Sequence, residues 1–257
     1  MSTTDWNFYS NYKEYGDVFY KRAVGELEEM ESSKALCHVL KTLYQQGMTV
    51  ADIGCGGGHY LRSLRQRLDP DISYTGIDAT EYYIHCAQKA FPEIAGQFRQ
   101  GNIFSIPAHD REFDIVINNN VILHLPPPPS KAFAELLRIA KRHVVIRTVF
   151  GERNYVIKEL RQTEEGCDNI EVPEEDLVTA DAELKYFNFY NIYTERYIRA
   201  VIRRIAPAVH IEIIKDEMWE PFDNRGIAKA TGTHVMDKLQ VSGNIILDWR
   251  FIILTLP

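Results

Sequence analysis

A glycine-rich turn directly after a short apolar stretch constrains this chain more than any other feature. Residues 48–53 read as a buried strand, and four glycines follow within residues 54–58. Glycine lacks a Cβ and accepts positive φ, so the composition predicts a tight turn that other atoms approach at backbone distance. Apolar residues at helical spacing follow from Tyr60, so the N–H groups of a helix N-terminus should face the turn. We expect an anionic group, phosphate or carboxylate, to bind there.

Strand and helix patterns alternate along the chain as far as residue 150. The predicted strands are residues 48–53, 73–77, 97–100, 113–118, 143–150, 209–214 and 245–256. The predicted helices cover residues 81–90, 130–140 and 194–206, and another helix begins at Ser32. This alternation is typical of a parallel sheet with helices on both faces. The last two strands have no clear helix between them, which predicts an antiparallel terminal pair.

The length and composition are those of one large domain. The chain has 257 residues, of which 45% are hydrophobic, and this is enough to bury a substantial core. We expect one domain over residues 1–257, with an N-terminal cap at 1–31, a cap insertion at 151–192 and a second irregular insertion at 217–243. The insertion at 151–192 follows the carboxyl end of a strand, so it should lie over the ligand crevice.

Charge and cysteine usage exclude several classes of function. A net charge of -7 and a pI near 5.7 argue against nucleic acid as a partner, because phosphate binding needs a clustered basic surface. The four cysteines have no metal-ligand spacing, so no metal site is expected. The apolar runs are too short to span a bilayer, and no membrane association is predicted. We therefore expect a cytoplasmic protein.

The glycine turn does not fit the two common phosphate-binding patterns. A dinucleotide turn needs a third glycine where this chain has His59, and a nucleotide-hydrolase loop needs a Gly-Lys-Ser/Thr that is absent after Gly58. The pattern Asp-x-Gly-x-Gly-x-Gly over residues 52–58 instead resembles the first motif of the class I S-adenosylmethionine-dependent methyltransferases. Residues 74–78, 101–107 and 113–126 are similar to that family's second, third and fourth motifs.

The resemblance implies a fold, a cofactor and a set of cofactor-binding residues. The fold is α/β, with a Rossmann-like, seven-stranded, mostly parallel sheet, an antiparallel terminal strand and helical cap segments. The cofactor is S-adenosyl-L-methionine, and S-adenosyl-L-homocysteine is the product. The implied cofactor-binding residues are Asp52, Gly54, Cys55, Gly56, Asp78, Ala79, Asn102, Ile103, Asn118 and Asn119.

Three of these side chains have a physical role that does not depend on the resemblance. Asp78 stands at a strand end, where its carboxylate can accept two hydrogen bonds from a vicinal diol or cap the next helix. Asp52 can bind the amides of the turn, receive a ligand ammonium group, or do both. Asn102 stands where the family usually has aspartate, and its amide oxygen can still accept a hydrogen bond from an exocyclic amine.

Candidate substrate-binding residues are the tyrosines of the two caps, Tyr12, Tyr15 and Tyr190. They can line an acceptor pocket, or pack as the apolar side of a helix or lid. A sulfonium methyl needs in-line approach more than it needs an acid or base, so no catalytic residue is predicted. His124 is the candidate for a general base, but in the resembling motif this position is commonly structural.

We expect methyl transfer to a small-molecule acceptor. The alternatives are a methyltransferase acting on protein or RNA, and a cofactor-binding module that has lost catalysis and acts through a partner.

Overall fold

The computed structural model describes Tyr9 and residues 13–160, 187–216, 233–236, 239–242 and 245–257. The helices are α1 (Lys13–Val24), α2 (Glu31–Leu40), α3 (His59–Arg67), α4 (Glu81–Ala90), α5 (Ser130–Ile139) and α6 (Glu195–Ile205). The strands are β1 (Thr49–Ile53), β2 (Ser73–Asp78), β3 (Phe98–Gln100), β4 (Phe113–Asn119), β5 (Ala140–Phe150), β6 (Lys158–Leu160), β7 (Phe187–Phe189), β8 (His210–Lys215), β9 (Thr233–Met236), β10 (Leu239–Ser242) and β11 (Ile245–Thr255).

Seven strands form the mixed sheet that the sequence predicts. Their order is β3, β2, β1, β4, β5, β11 and β8, and β1 to β5 pair in parallel. β11 runs antiparallel to both β5 and β8, which confirms the antiparallel terminal pair. The chain reverses its direction of winding between β1 and β4, and the crevice outside the carboxyl ends of those strands is where such sheets bind ligands.

Four further strands lie in the stretches that were expected to be irregular. β10 pairs with the first residues of β11, and β9 pairs with β10, so the sheet extends into the predicted insertion at 217–243. β6 and β7 form a separate antiparallel pair within the predicted insertion at 151–192. These short strands lack a clear alternating pattern, and they exist because a neighbouring strand satisfies their backbone.

Helices cover both faces of the sheet with apolar side chains. Leu36 of α2 and Leu61 of α3 are fully buried in the cluster on one face. Phe133 of α5 and Ile202 of α6 are fully buried in the cluster on the other. Burial of each such side chain removes apolar area from water and adds roughly 1.5–3 kcal/mol to the free energy of unfolding. Within the described ranges, no helix combines the length and apolar character needed to cross a membrane.

Candidate cofactor and acceptor site

The glycine turn connects β1 to α3 and is held against the end of β2. The backbone N–H of Gly54 donates to the Ile77 carbonyl at 2.7 Å, and that of Cys55 donates to the same oxygen at 3.2 Å. Gly54 and Gly56 have φ values of +81° and +54°, which side-chain-bearing residues rarely adopt.

Other parts of the chain pack closely against the glycine turn. A Cβ at Gly54 would collide with Val121 after β4. One at Gly56 would meet the ring of Phe19 on α1, and one at Gly57 would meet the Cβ and backbone of Phe19. Part of the glycine requirement therefore comes from packing of α1 and the β4 loop, which the sequence does not indicate. The left-handed Gly58 precedes α3, whose first turn has no side-chain cap, as the anion prediction requires.

Asp52 is buried in β1, with one carboxylate oxygen bonded and the other unpartnered. Its Oδ2 accepts a hydrogen bond from the Tyr74 hydroxyl at 2.7 Å, and its Oδ1 has no hydrogen-bond partner in the described part of the chain. Burial, opposed by the hydrogen bond from Tyr74 and reinforced by the charge of Asp78, raises the pKa of Asp52 to about 7. The amides of the turn are not among its partners, which leaves the ammonium role open for the second oxygen.

Asp78 is the last residue of β2 and bonds to the two segments beside it. Its Oδ2 accepts from the Gly56 N–H and its Oδ1 from the Thr80 N–H, both at 2.8 Å. The Thr80 hydroxyl and the Ala79 N–H also act on this carboxylate, so a diol would share its acceptor positions with these groups. Desolvation raises the pKa of Asp78, and its bonds to backbone N–H groups oppose that increase.

The predicted adenine-binding segment lies next to Asp78. The Gly101 N–H donates to the Asp78 carbonyl at 2.8 Å, and the Gln100 side chain donates to the Ala79 carbonyl at 3.0 Å. The amide oxygen of Asn102 accepts from the Phe104 N–H at 2.9 Å, so it also fixes its own turn. Ile103 is buried in the core.

The asparagines at the end of β4 differ in their bonding. Asn118 donates to the Ile53 carbonyl at 2.6 Å and so ties β4 to β1. Asn119 is 5% exposed, and neither its amide oxygen nor its nitrogen has a partner among the described residues. A buried amide without partners is costly, so Asn119 is a fitting place for a polar ligand group.

Burial raises the pKa of the Cys55 thiol well above its usual value, so the thiol stays protonated. A Cβ at Gly76 would come within 2.9 Å of the Cys55 sulfur, so the Cys55 side chain packs directly against the Gly76 backbone and a larger side chain would not fit. Among the residues that the structure describes, no group of three or more His, Cys, Asp or Glu side chains could hold a metal ion.

Arg147 is a buried cation that the sequence analysis did not single out. Its Nε donates to Asp216 Oδ2 at 2.7 Å, and its Nη1 donates to Asn120 Oδ1 at 2.6 Å. The guanidinium also lies over the ring of Trp249, 4.0 Å from its centroid. Burial lowers the pKa of Arg147, and Asp216 opposes that effect most strongly. The available signal was an arginine among the mostly apolar residues 144–150.

A row of aromatic rings joins the two caps at the end of β4. Tyr15 of α1 contacts Tyr9 at 5.9 Å between ring centroids, and Tyr9 contacts His124 at 5.5 Å. His124 in turn contacts Tyr190 at 5.5 Å, and its Nδ1 lies 2.9 Å from the Phe189 carbonyl oxygen. The structure thus connects two of the predicted substrate tyrosines, Tyr15 and Tyr190, through Tyr9 and His124. Tyr12 lies outside the described residues.

Comparison with known proteins agrees with this geometry. Residues 51–146 match a family described as a methyltransferase domain. This matched region is the part of the chain that carries the four motifs resembling the class I S-adenosylmethionine-dependent methyltransferases. A Mycobacterium tuberculosis protein described as an uncharacterized methyltransferase is 30% identical over 95 residues, which cover 37% of this chain and 36% of that protein. The chain therefore spans only about a third of the length of the curated relatives it matches.

Two solved structures share the fold. Magnesium protoporphyrin IX methyltransferase from Synechocystis, solved with bound S-adenosylhomocysteine, is 14% identical with a TM-score of 0.55, and 97% of each chain is covered. The [4+2]-cyclase SpnF is 15% identical with a TM-score of 0.54, covering 86% of this chain and 80% of that one.

The described residues fit S-adenosylmethionine, the cofactor that the resemblance to class I methyltransferases implies. The unpartnered oxygen of Asp52 suits a methionine ammonium, and the uncapped start of α3 suits its carboxylate. The Asp78 carboxylate, at the strand end beside the turn, can accept from a ribose diol that shares its positions with these bonds, and Asn102 follows on the adjacent loop.

Proposed function

We propose that this chain transfers the methyl group of S-adenosylmethionine to a small-molecule acceptor. The observation that carries the proposal is the enclosure of the β4 end by the aromatic row from the two caps. Tyr190 is 7% exposed and Asn119 is 5% exposed, so the chain covers both of these side chains at the strand end. A small acceptor fits beneath such a cover more readily than a folded macromolecule does.

When bound, the cofactor supplies a methyl group that the sulfonium charge has already activated. The contribution of the chain is to bind, orient and exclude water, because in-line approach provides most of the reduction in barrier. Asp52, Asp78 and Asn102 hold the cofactor from the ends of β1, β2 and β3. The ring row excludes water on the acceptor side and limits the directions from which an acceptor approaches.

The test combines a binding assay with a turnover assay. We expect millimolar S-adenosylmethionine or S-adenosylhomocysteine to raise the melting temperature, whereas NAD should leave it unchanged. Turnover is then measured as S-adenosylhomocysteine released with a panel of phenols, indoles, imidazoles and aliphatic alcohols and amines. Each ring compound is supplied as a pair, once with a hydroxyl or carboxamide substituent and once with a methyl group in its place.

Each result of this experiment leads to a different conclusion. Turnover with members of the panel supports the proposal. Turnover that requires protein or RNA contradicts a small-molecule acceptor. Cofactor binding without turnover on any acceptor favours a module that does not transfer methyl groups, and the cyclase described above shows that this fold is not confined to proteins named as methyltransferases.

A further inference from the structure

Asn188, in the middle of β7, is completely buried, and its side chain has no hydrogen bond within the described part of the chain. Its relative exposure is 0%, and neither its Oδ1 nor its Nδ2 has a partner among the described residues. Most buried polar side chains in native proteins do have a partner, and an amide left without one destabilises the folded chain. The nearby Asn191 is equally buried, but its Nδ2 donates to the Leu125 carbonyl at 2.6 Å.

The position of Asn188 in its strand places its amide on the acceptor side. β7 pairs with β6, and the pairing continues through Tyr190, whose N–H donates to the Ile157 carbonyl at 2.8 Å. Side chains two residues apart in a strand lie on the same face, so Asn188 shares its face with Tyr190. The Tyr190 ring contacts His124 at the end of β4, which places this face of β7 over the proposed acceptor site.

Arg147, a buried cation on which the Tyr190 phenol acts, is already bonded to Asp216, and this favours an uncharged ligand group. An amide offers two donors and an acceptor at one point. A hydroxyl or a carboxamide can use both kinds of group at once, whereas an alkyl group can use neither.

We propose that Asn188 binds the methyl acceptor and that the acceptor carries an uncharged hydroxyl or carboxamide group which bonds to this amide. The assignment rests on the proposed function and deepens it, because it selects polar acceptors from among the small molecules. The unpartnered amide then lowers the stability of the folded chain, and it is retained because it recognises the substrate.

The first test measures thermal stability and needs no acceptor. Replacing Asn188 by leucine removes a buried amide with no partner and keeps a similar volume, so we expect Asn188→Leu to raise the melting temperature by about 2–4 °C. Asn191→Leu is the matched control, and it should lower the melting temperature because it breaks the bond to Leu125. A comparable loss of stability in both variants would overturn the proposal, because Asn188 would then have a structural role.

The second test measures acceptor preference with the pairs of the turnover panel. For the wild-type chain we expect kcat/KM to be about tenfold or more higher for the polar member of a pair, and Asn188→Leu should abolish that preference. The dissociation constant for S-adenosylhomocysteine should stay within about twofold. The proposal is refuted if the wild-type chain shows no preference or if the variant keeps it. A wild-type chain that binds S-adenosylhomocysteine but turns over neither member refutes the proposed function itself.

Discussion

The buried carboxyl of Asp52 makes a quantitative prediction about pH. Burial raises its pKa from 3.8 to about 7, so the folded chain keeps a proton that the unfolded chain releases above about pH 4. The free energy of unfolding should therefore fall as the pH rises through that window, by about 1.4 kcal/mol per pH unit. Above the folded pKa both states are ionised and the fall should end.

The variant Asp52→Asn tests this prediction, because its amide oxygen can still accept the hydrogen bond from Tyr74 while the side chain cannot ionise. Between pH 5 and pH 8 the wild-type chain should lose about 3 kcal/mol more stability than the variant, because the window from pH 5 to the folded pKa covers about two units. Urea unfolding at half-unit steps of pH measures both curves, and their difference removes the contribution of other titrating groups. Parallel curves for the two chains would refute the argument, since Asp52 would then titrate in the folded chain as it does when unfolded.

The same oxygen should connect pH to cofactor affinity. If the Oδ1 of Asp52 receives the methionine ammonium, ionisation strengthens binding, so the dissociation constant for S-adenosylhomocysteine should fall several-fold from pH 6 to pH 8. Calorimetry on the wild-type chain and on Asp52→Asn measures this, and the variant should show no such trend. An equal trend in both would assign the ammonium to another group.

Three other substitutions test the remaining parts of the site. Asp78→Ala should lose most of the thermal shift caused by S-adenosylhomocysteine, and an unchanged shift would leave Asp78 only its role in holding the backbone. Gly54→Ala should destabilise the chain by about 1–3 kcal/mol in urea unfolding, because of its positive φ. Gly96→Ala is its control, with open space around the added Cβ. Asp216→Asn should cost about 3–5 kcal/mol in urea unfolding, because it leaves Arg147 as a buried charge without its counter-ion, and a loss below 1 kcal/mol would contradict this.

The parts of the fold that follow from local sequence were predicted well. Helix α4 spans Glu81–Ala90 as predicted, and β2 and β4 differ from the predicted strands by one residue each at their carboxyl ends. These elements carry strong apolar patterns bounded by turn residues. β7 and β9 were missed because each is short and depends on a partner strand rather than on its own pattern.

The functional site also contains residues that local sequence brings together and residues that meet only through distant pairing of strands. Asp52 and Asp78 stand at the ends of strands that are neighbours in the sheet, so a local motif is enough to bring them together. Arg147 and Asp216 are 69 residues apart, and they meet only because β11 pairs with both of their strands. No local pattern encodes that register.

The cofactor half and the acceptor half of the site should respond differently to mutation. The cofactor half is formed by consecutive loops and is tied together by backbone bonds such as those from Gly54 and Gly101. The acceptor half is formed where α1 and the β7 segment meet the end of β4, and the aromatic row at that place consists of contacts between side chains. Side-chain contacts change with single substitutions while backbone bonds do not. Changes at Asn188 or Tyr190 should therefore alter which acceptor is used and leave cofactor affinity nearly constant, so that one binding scaffold can serve different acceptors.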